Sequence, residues 1–573
     1  MALGLDQFKL RLDIIWMFLR LVKKPNDRIS IRIVENNRVD GKVKQKTISG
    51  IGTAHKDDHK KIESLMRVGE ELIIKLNNEV EPVLPGLEEI IHAPKKKVEK
   101  EIAEDMVSVN GLKEEGRIHI GINDIFGKAF EELNLFDSID TGYKKDESND
   151  LFMEVVLARL SAPVSKRKSV KNIKADKDLE LNLDKVYRMM DKVNDNEARI
   201  KNKISDSTLG LFDQKVDVAF FDVTTLYFES FTPDNIRVSG FSKDGKFKET
   251  QVMLALITTT EGLPLGYELF PGNSYEGNTL ITVIEQVEKN YDLSETFIVA
   301  DRAMFTRDNL EKLDQKKVKF IVAAKLKTMK KEMKEEIIKD VAKTLKENGD
   351  IEGWTKDYIF EGRRLIVNYS KKRAHKDKKD RERLIERIKK KMKNGKVRLA
   401  DLINNTGTKK YLKIDKKGSK EATLNELKIE EHARWDGIHG VITNHENNDL
   451  SSEEILKRYR NLWQIEAAFR VNKHDLRMRP IYHWTEKRIR SHILICFVAY
   501  SLAAFVKNKL NKAKIKLSFE ETREELGRLQ ASIVKDKLTG KKFILPSKIT
   551  SNQKSIYKVF GLEVDHKAKL LEI

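Results

Sequence analysis

Three acids stand in surroundings that could make them reactive. Asp222 interrupts the burial-prone run VAFFDVTT, and Asp301 follows the apolar run FIVA directly. A buried carboxylate without compensation is costly. Two of them at strand positions suggest a cation held between them. For each taken alone, a strand-end aspartate that caps a turn, or pairs with a neighbour such as Arg302, fits as well. Glu466 lies within YRNLWQIEAAFRVNK, residues 459 to 473. Read as one α-helix, this stretch puts Tyr459 roughly 20° to one side of Glu466 and Lys473 roughly 20° to the other, with Leu462, Phe469 and Arg470 within about 60°. An ordinary amphipathic helix with Glu466 paired to Arg470 at i+4 also fits that spacing. An oxygen-only set of three acids suits a hard divalent cation such as Mg²⁺. Two such ions about 3.5–4 Å apart can clamp the attacking and leaving oxygens of an in-line phosphoryl displacement.

The elements needed to position these acids can be read from the pattern. VDVAFFDVTTLYFES, QVMLALITTT and LPLGYELFPG predict three successive strands from residue 216. NTLITVIEQVEKNY predicts a helix, TFIVADRAMF a strand, TRDNLEKLDQ a helix and VKFIVAAK a strand. Three adjacent strands followed by crossover helices make a mixed sheet with helices packed on it. Ligands of such sheets gather at the carboxyl ends of the strands, where Asp301 falls. GIHGVITN at 437 to 444 predicts one more buried strand, and Ser451 with Glu454 a capping box that opens the helix carrying Glu466.

In their order and spacing these motifs resemble the DDE transposases of bacterial insertion sequences, in the branch with a Tyr-Arg-Glu-Lys signature. FFDVTTLYF resembles the first aspartate strand of that family and FIVADRAMFT its second aspartate motif. LPLGYELFPGNSYEGNTL resembles the segment between them. Tyr459, Glu466 and Lys473 match the signature, within the surroundings WQIE, whereas Leu462 stands where the family has its arginine. The resemblance spans roughly 211 to 325 and 437 to 480. It implies an RNase H-like α/β catalytic fold, α+β overall, interrupted by an insertion, with a mainly helical DNA-binding N-terminal region and a helical C-terminal region for dimerisation. It implies Asp222, Asp301 and Glu466 as catalytic metal ligands for Mg²⁺, with Mn²⁺ as a substitute. Tyr459 and Lys473 are expected to contact DNA phosphate. Arg470 is expected to replace the cation lost at Leu462. Arg302 is a further expected DNA contact. Trp463 is expected in the core, with a DNA contact as its second reading. Related transposases use a Trp near the strand before the motif helix to handle a flipped base; here His439 is on that strand and Trp435 lies four residues earlier. The implied activity is metal-dependent cleavage and strand transfer at the ends of an insertion sequence. The implied partners are double-stranded DNA with terminal inverted repeats, target DNA and a second copy of the chain. An RNase H-like nuclease without transposition activity, or an inactive DNA-binding derivative, are the alternatives, and the presence of all three acids argues against the last.

Composition agrees with such partners. The chain has 573 residues, 35% charged, with a formal net charge of +20. A surplus of that size favours a polyanionic partner. The single cysteine, Cys496, excludes an internal disulfide and a cysteine zinc site and is expected to be a buried thiol. ILICFVAYSLAAFV, residues 493 to 506, is too short to span a bilayer and predicts a buried core helix. The expectation is no membrane partner and a cytoplasmic, nucleoid-associated bacterial protein. The length calls for several domains. The expected division is 1–55, an amphipathic helix to about residue 24 and a small β-sheet; 56–210, helical; 211–325, the first catalytic part; 326–436, an insertion; 437–510, the second catalytic part; and 511–573, helical and basic. The charged helix at 371 to 396 is expected either as a solvated face or as a DNA-contacting arm.

Overall fold

The computed structural model describes residues 17–39, 42–78, 111–140, 147–211, 216–240, 248–288, 295–301, 306–347, 349, 351–392, 396–398, 408–413, 421–445, 450–537, 539–564 and 567–571. The chain divides into two compact units, Met1–Met106 and Val107–Ile573.

In the first unit, β1 (Met17–Lys24), β2 (Arg28–Val39) and β3 (Lys42–His55) form an antiparallel sheet in that order, with α1 (His59–Asn78) packed on it. Ile31, Ile33 and Val34 are buried in this unit. The small sheet is as the alternation of 30 to 52 predicts. The amphipathic helix expected before it is corrected for residues 17 to 24, which pair as a strand from Met17↔Glu35 to Lys24↔Arg28. Pairing with β2 satisfies that segment's backbone and overrides its local helical pattern. The first sixteen residues of that expectation lie outside the described residues, as do Asp40 and Gly41 of the expected turn.

The second unit opens with β4 (Leu112–His119) and five helices: α2 (Gly121–Glu132), α3 (Ser148–Ser161), α4 (Lys166–Lys177), α5 (Leu183–Asp195) and α6 (Glu197–Gly210). The sheet follows: β5 (Val218–Tyr227), β6 (Gln251–Thr259), β7 (Pro264–Pro271), α7 (Thr279–Glu288), β8 (Phe297–Ala300), α8 (Arg307–Gln315) and β9 (Lys319–Ala323). The spatial order is β9-β8-β5-β6-β7, with β5, β8 and β9 parallel and β6 and β7 antiparallel. That order and those directions are the RNase H-like arrangement the motifs imply. The tight β6–β7 turn requires Gly262, whose φ is +79°.

The expected insertion does not leave the sheet. After α9 (Lys331–Glu347), the hairpin β10 (Gly353–Phe360) and β11 (Arg363–Ser370) pairs with β15 (Ile438–Thr443), and β15 pairs with β9, giving eight strands among the described residues. Between them lie α10 (Lys371–Lys391), β12 (Val397–Arg398), β13 (Leu412–Lys413), β14 (Glu421–Leu424) and α11 (Glu426–Ala433). Ile388, Val397, Tyr411 and Ala422 form a small core of their own there.

The remainder is α12 (Ser452–Arg460), α13 (Trp463–Arg470), α14 (Glu486–Lys512), α15 (Phe519–Arg528), β16 (Gln530–Asp536), β17 (Lys542–Pro546), α16 (Ser551–Val559) and β18 (Lys569–Leu570). The expectation of a purely helical 511–573 is corrected: β16, β17 and β18 make a sheet whose fourth strand is β4. Its pairing partner is some 400 residues away in sequence, so no local pattern announces it.

The sheet separates two cores. On one side β5 contributes Phe220 and β8 contributes Val299 to a core shared with α2 to α6 and α12 to α16. On the other, Ala219, Phe221, Ile298 and Ala300 meet α7, α8 and α9. The centre of the first core is α14. It is long and apolar enough to cross a membrane by length and composition, yet 94% of its apolar window is buried within the fold. Cys496 is buried there, as expected. Leu494 is fully buried in the same helix. Leu494→Ala is expected to destabilise the second unit by about 2–5 kcal/mol, the cost of lost transfer energy plus a cavity. Urea unfolding would check this, and a loss below about 1 kcal/mol would contradict α14 as the organising helix.

Candidate active site

The β5–β8 register decides the position of the two aspartates. The parallel pairs run Val218↔Phe297, Ala219↔Ile298, Phe220↔Val299 and Phe221↔Ala300. Asp222 and Asp301 are the next residues on each strand, so they sit at one level on neighbouring strands about 4.8 Å apart. Side chains alternate along a strand. Asp222 therefore shares the face of Phe220, and Asp301 that of Val299, which is the face covered by α13. Asp222 is half-buried, and its Oδ1 accepts a 2.7 Å hydrogen bond from the Val223 amide. Asp301 is exposed at the strand end.

Glu466 reaches the same side by packing. Ile465, Ala468 and Phe469 anchor α13 in the core that contains Phe220 and Val299. Glu466 is exposed beside them, and among the described residues it has no ion-pair partner. The i+4 pair with Arg470 that an ordinary amphipathic helix would make is not formed. The structure thus brings Asp222 and Asp301 together and lays the helix of Glu466 over their face. Among the described residues, however, no three His, Cys, Asp or Glu side chains gather closely enough to hold a metal ion.

The single helix expected over 459 to 473 is corrected. α12 opens on the expected capping box, with the Glu454 amide donating to Ser451 Oγ at 3.2 Å and the Ser451 amide to Glu454 Oε2 at 2.9 Å. It stops at Arg460. Tight i→i+3 bonds follow, Leu462 N to Tyr459 O at 3.0 Å and Gln464 N to Asn461 O at 3.0 Å, before α13 begins. Beyond Arg470 the backbone widens into a π-helical turn, Val471–Asp475. A 3₁₀ step turns roughly 120° per residue against 100° for α, so angles computed on an unbroken helix do not carry across. Tyr459 belongs to α12, half-buried against the core, and Lys473 lies in the π turn with its Nζ 5.9 Å from the Phe469 ring centroid. Arg477, which a continued helix would place near Glu466, is outside any helix at φ +45°. Of the cations and the tyrosine expected around Glu466, only Arg470, exposed one turn later in α13, keeps its helical relation.

Trp463 is 52% exposed, which corrects its expected place in the core. Trp435 is the buried one, at 4%. Arg302 lies outside the described residues. The sequence reading also missed a cavity of about 860 Å³ beginning at the end of β9, the strand next to Asp301. Lys325, Lys327, Arg373, Lys410, Trp435 and His439 line it. The one available signal was AAKLK after a predicted strand.

With the fold and this geometry in place, the chain can be set against known proteins. Residues 214–502, half of the chain, match the family model described as the transposase DDE domain. The chain belongs to that family. No curated protein matches it. Among solved structures, the Mos1 transposase paired-end complex with left transposon end is similar at 12% identity and a TM-score of 0.14, over 32% of this chain and 59% of that one. The chain therefore spans less than two thirds of that relative, and the fold assignment rests on the strand order described above.

His439 offers a pH test of this region. Burial, with Arg373 and Arg460 nearby, pushes its pKa down to about 4, and its Nδ1 is buried without a hydrogen-bond partner. The folded state thus binds this proton less readily than the unfolded chain. Its contribution to stability is complete above about pH 6.5 and lost as pH falls towards 4. His439→Gln is expected to flatten part of the wild-type stability loss in that window, measured by denaturant midpoints at pH 7, 6, 5 and 4. Parallel profiles would contradict a neutral, half-buried His439.

Proposed function

We propose that this transposase-family chain cleaves DNA at the ends of an insertion sequence and transfers the cut strand to target DNA, in the manner of the Tyr-Arg-Glu-Lys branch. The observation that carries the reading is the in-register pair Asp222 and Asp301, with Glu466 on the helix above their shared face. This donor set is all carboxylate, which fits Mg²⁺ or Mn²⁺. Asp222 and Asp301 would hold the ion between adjacent strand ends, and Glu466 would close the site from α13. A divalent cation bound there supplies Lewis-acid activation of the phosphoryl group and of an attacking oxygen. The chain's own part is positional. Two strands fix the aspartates, and α13 is anchored by Ile465 and Phe469 so that its exposed side meets the DNA. Arg470, Lys473 and Tyr459 hold backbone phosphate near the scissile bond. Exposed Trp463 contacts DNA from the start of the same helix, and Arg302 from beside Asp301. A second copy of the chain pairs the two element ends, and the work takes place in the bacterial cytoplasm on nucleoid DNA.

Asp222→Asn, Asp301→Asn and Glu466→Gln are each expected to lower Mg²⁺-dependent cleavage by at least about a hundredfold. DNA binding should be largely retained, since cationic phosphate contacts supply most of the affinity. Normal cutting by Glu466→Gln would remove α13 from the site. A strand-transfer assay with paired ends separates a transposase from a nuclease of the same fold.

Arg470 carries a second test. Arg470→Ala is expected to weaken the DNA complex by roughly 1.5–3 kcal/mol, a lost charge-assisted contact. Lys457→Ala, an equal charge change at an exposed position on α12, should cost much less. Equal losses, at matched salt and with folding verified, would mean that α13 does not present this side to DNA.

A further inference from the structure

A second cationic site lies at the start of α4. A pocket of about 630 Å³ is lined by the helix opening, Ser165 to Lys168, and by Arg159, Arg477, Arg479, His483 and His492 among others, with no carboxylate in its wall. Two of its cations are deep inside the protein: Lys166 is 3% exposed and Arg159 4%. Arg159 donates only a 3.4 Å hydrogen bond to the Leu476 carbonyl. Among the described residues the Lys166 ammonium has neither a hydrogen bond nor an ion pair. His492, 5% exposed, gives its Nε2 to the Met478 carbonyl, while its Nδ1 is buried without a partner.

Buried charges are ordinarily paired, because removing an ion from water costs several kcal/mol in practice. Here two neighbouring cations reinforce each other's cost. Burial and Arg159 together push the Lys166 pKa down to about 7. The Lys168 amide is capped by Ser165 Oγ at 3.4 Å, which leaves the Lys166 and Arg167 amides, with the positive end of the helix dipole, for a ligand. Exposed Arg477 and half-buried Arg479 close the mouth, and Tyr187, Tyr482 and His483 give it aromatic walls. Cations, helix amides and rings together suit a phosphate group carrying a planar substituent.

We propose that this pocket is a phosphate-binding site for a nucleotide unit, with Lys166, Arg159 and the α4 amides on the phosphate and the tyrosines beside the attached base. The phosphate site stands on the pocket alone; naming DNA as its source rests on the transposase reading above.

The full-length protein is tested by thermal unfolding in inorganic phosphate against chloride at equal ionic strength. Phosphate is expected to stabilise the wild type. Lys166→Met and Arg477→Gln should each raise the half-saturating phosphate concentration roughly tenfold or more. Lys171→Met, an exposed position on the same helix, should match the wild type. Lys166→Met should also be at least as stable as the wild type in chloride, since it removes an uncompensated buried cation; a purely structural lysine would give the reverse. Exposed Arg477 serves the same test should the buried substitution fail to fold. No phosphate effect on the wild type, or the same effect on all four proteins, overturns the site. The source is read by competing a duplex end, with and without a 5′-phosphate, against inorganic phosphate. Displacement by the phosphorylated end alone assigns a terminal phosphate, and by both ends a backbone phosphate. Displacement by neither keeps the site but overturns DNA as its source. Cleavage by the wild type and its loss in Asp222→Asn judge the transposase reading separately.

Discussion

Everything at the candidate active site depends on the parallel pairing of β5 with β8. A shift of one residue in that pairing would turn one aspartate to the opposite face. The register is held by burial on both sides: Phe220 and Val299 pack into one core, while Phe221 and Ala300 pack into the other. Neither strand can slip by one residue without sending side chains packed for one core into the other and turning its aspartate to the opposite face. The same apolar side chains that stabilise the sheet therefore specify the level at which two negative charges meet. Like charges at that spacing raise each other's cost, so the packing energy of the strands sustains an arrangement the acids alone would not adopt.

How much of this the sequence disclosed depends on the range of the interaction. The strands with Asp222 and Asp301, the strand before α12, the capping box of Ser451 and Glu454 and the buried helix around Cys496 all follow from local pattern. Each is encoded by neighbours a few residues apart. The break at Asn461 is not legible in this way. Nothing in YRNLWQIEAAFRVNK forbids one helix; in the fold α12 packs against β8, β9 and β10 and α13 against β5 and β6, with the tight turns between them. β4 with β16, and the hairpin of the insertion with β15, are pairings between distant segments, and pairing at that range leaves little trace in either strand alone. The first strand, Met17–Lys24, reads as an amphipathic helix and becomes a strand only because β2 is there to receive it.

The net charge of +20 tells only part of the electrostatic story. Many lysines and arginines are spent on surface ion pairs, such as Lys185 with Glu147 and Arg434 with Glu335. Such pairs add little stability. The informative cations are those that pockets gather. At the α4 pocket Lys166 and Arg159 are deep, and no carboxylate lines the wall. Around the cavity beside β9 they are mixed with Asp377, Asp380 and Asp436, and Arg381 is tied to Asp436. The first arrangement is suited to one bound anion. The second is a partly neutralised basic surface.

The two regions are joined by one piece of chain. After Glu466 the helix passes through the π turn to Arg477 and Arg479, and the next residues bridge back to the sheet at Phe228↔Ile481. Phe228 directly follows β5, the strand of Asp222. Six residues of extended strand separate Asp222 from Phe228, roughly 20 Å at about 3.3 Å each. Along the axis of a duplex, which rises about 3.4 Å per base pair, that distance covers about six base pairs. The α4 pocket is lined by Arg479, Pro480 and Tyr482, the neighbours of Ile481, so its wall is tied to the end of β5. The connection is short and rigid: one β-strand inside the sheet, a bridge at its end, and a cation-lined segment whose Arg479 guanidinium sits 5.5 Å from the Tyr227 ring. A phosphate fixed at Lys166 would be referenced to the acids through the sheet itself rather than through a flexible arm, which is what holding a scissile bond in place requires.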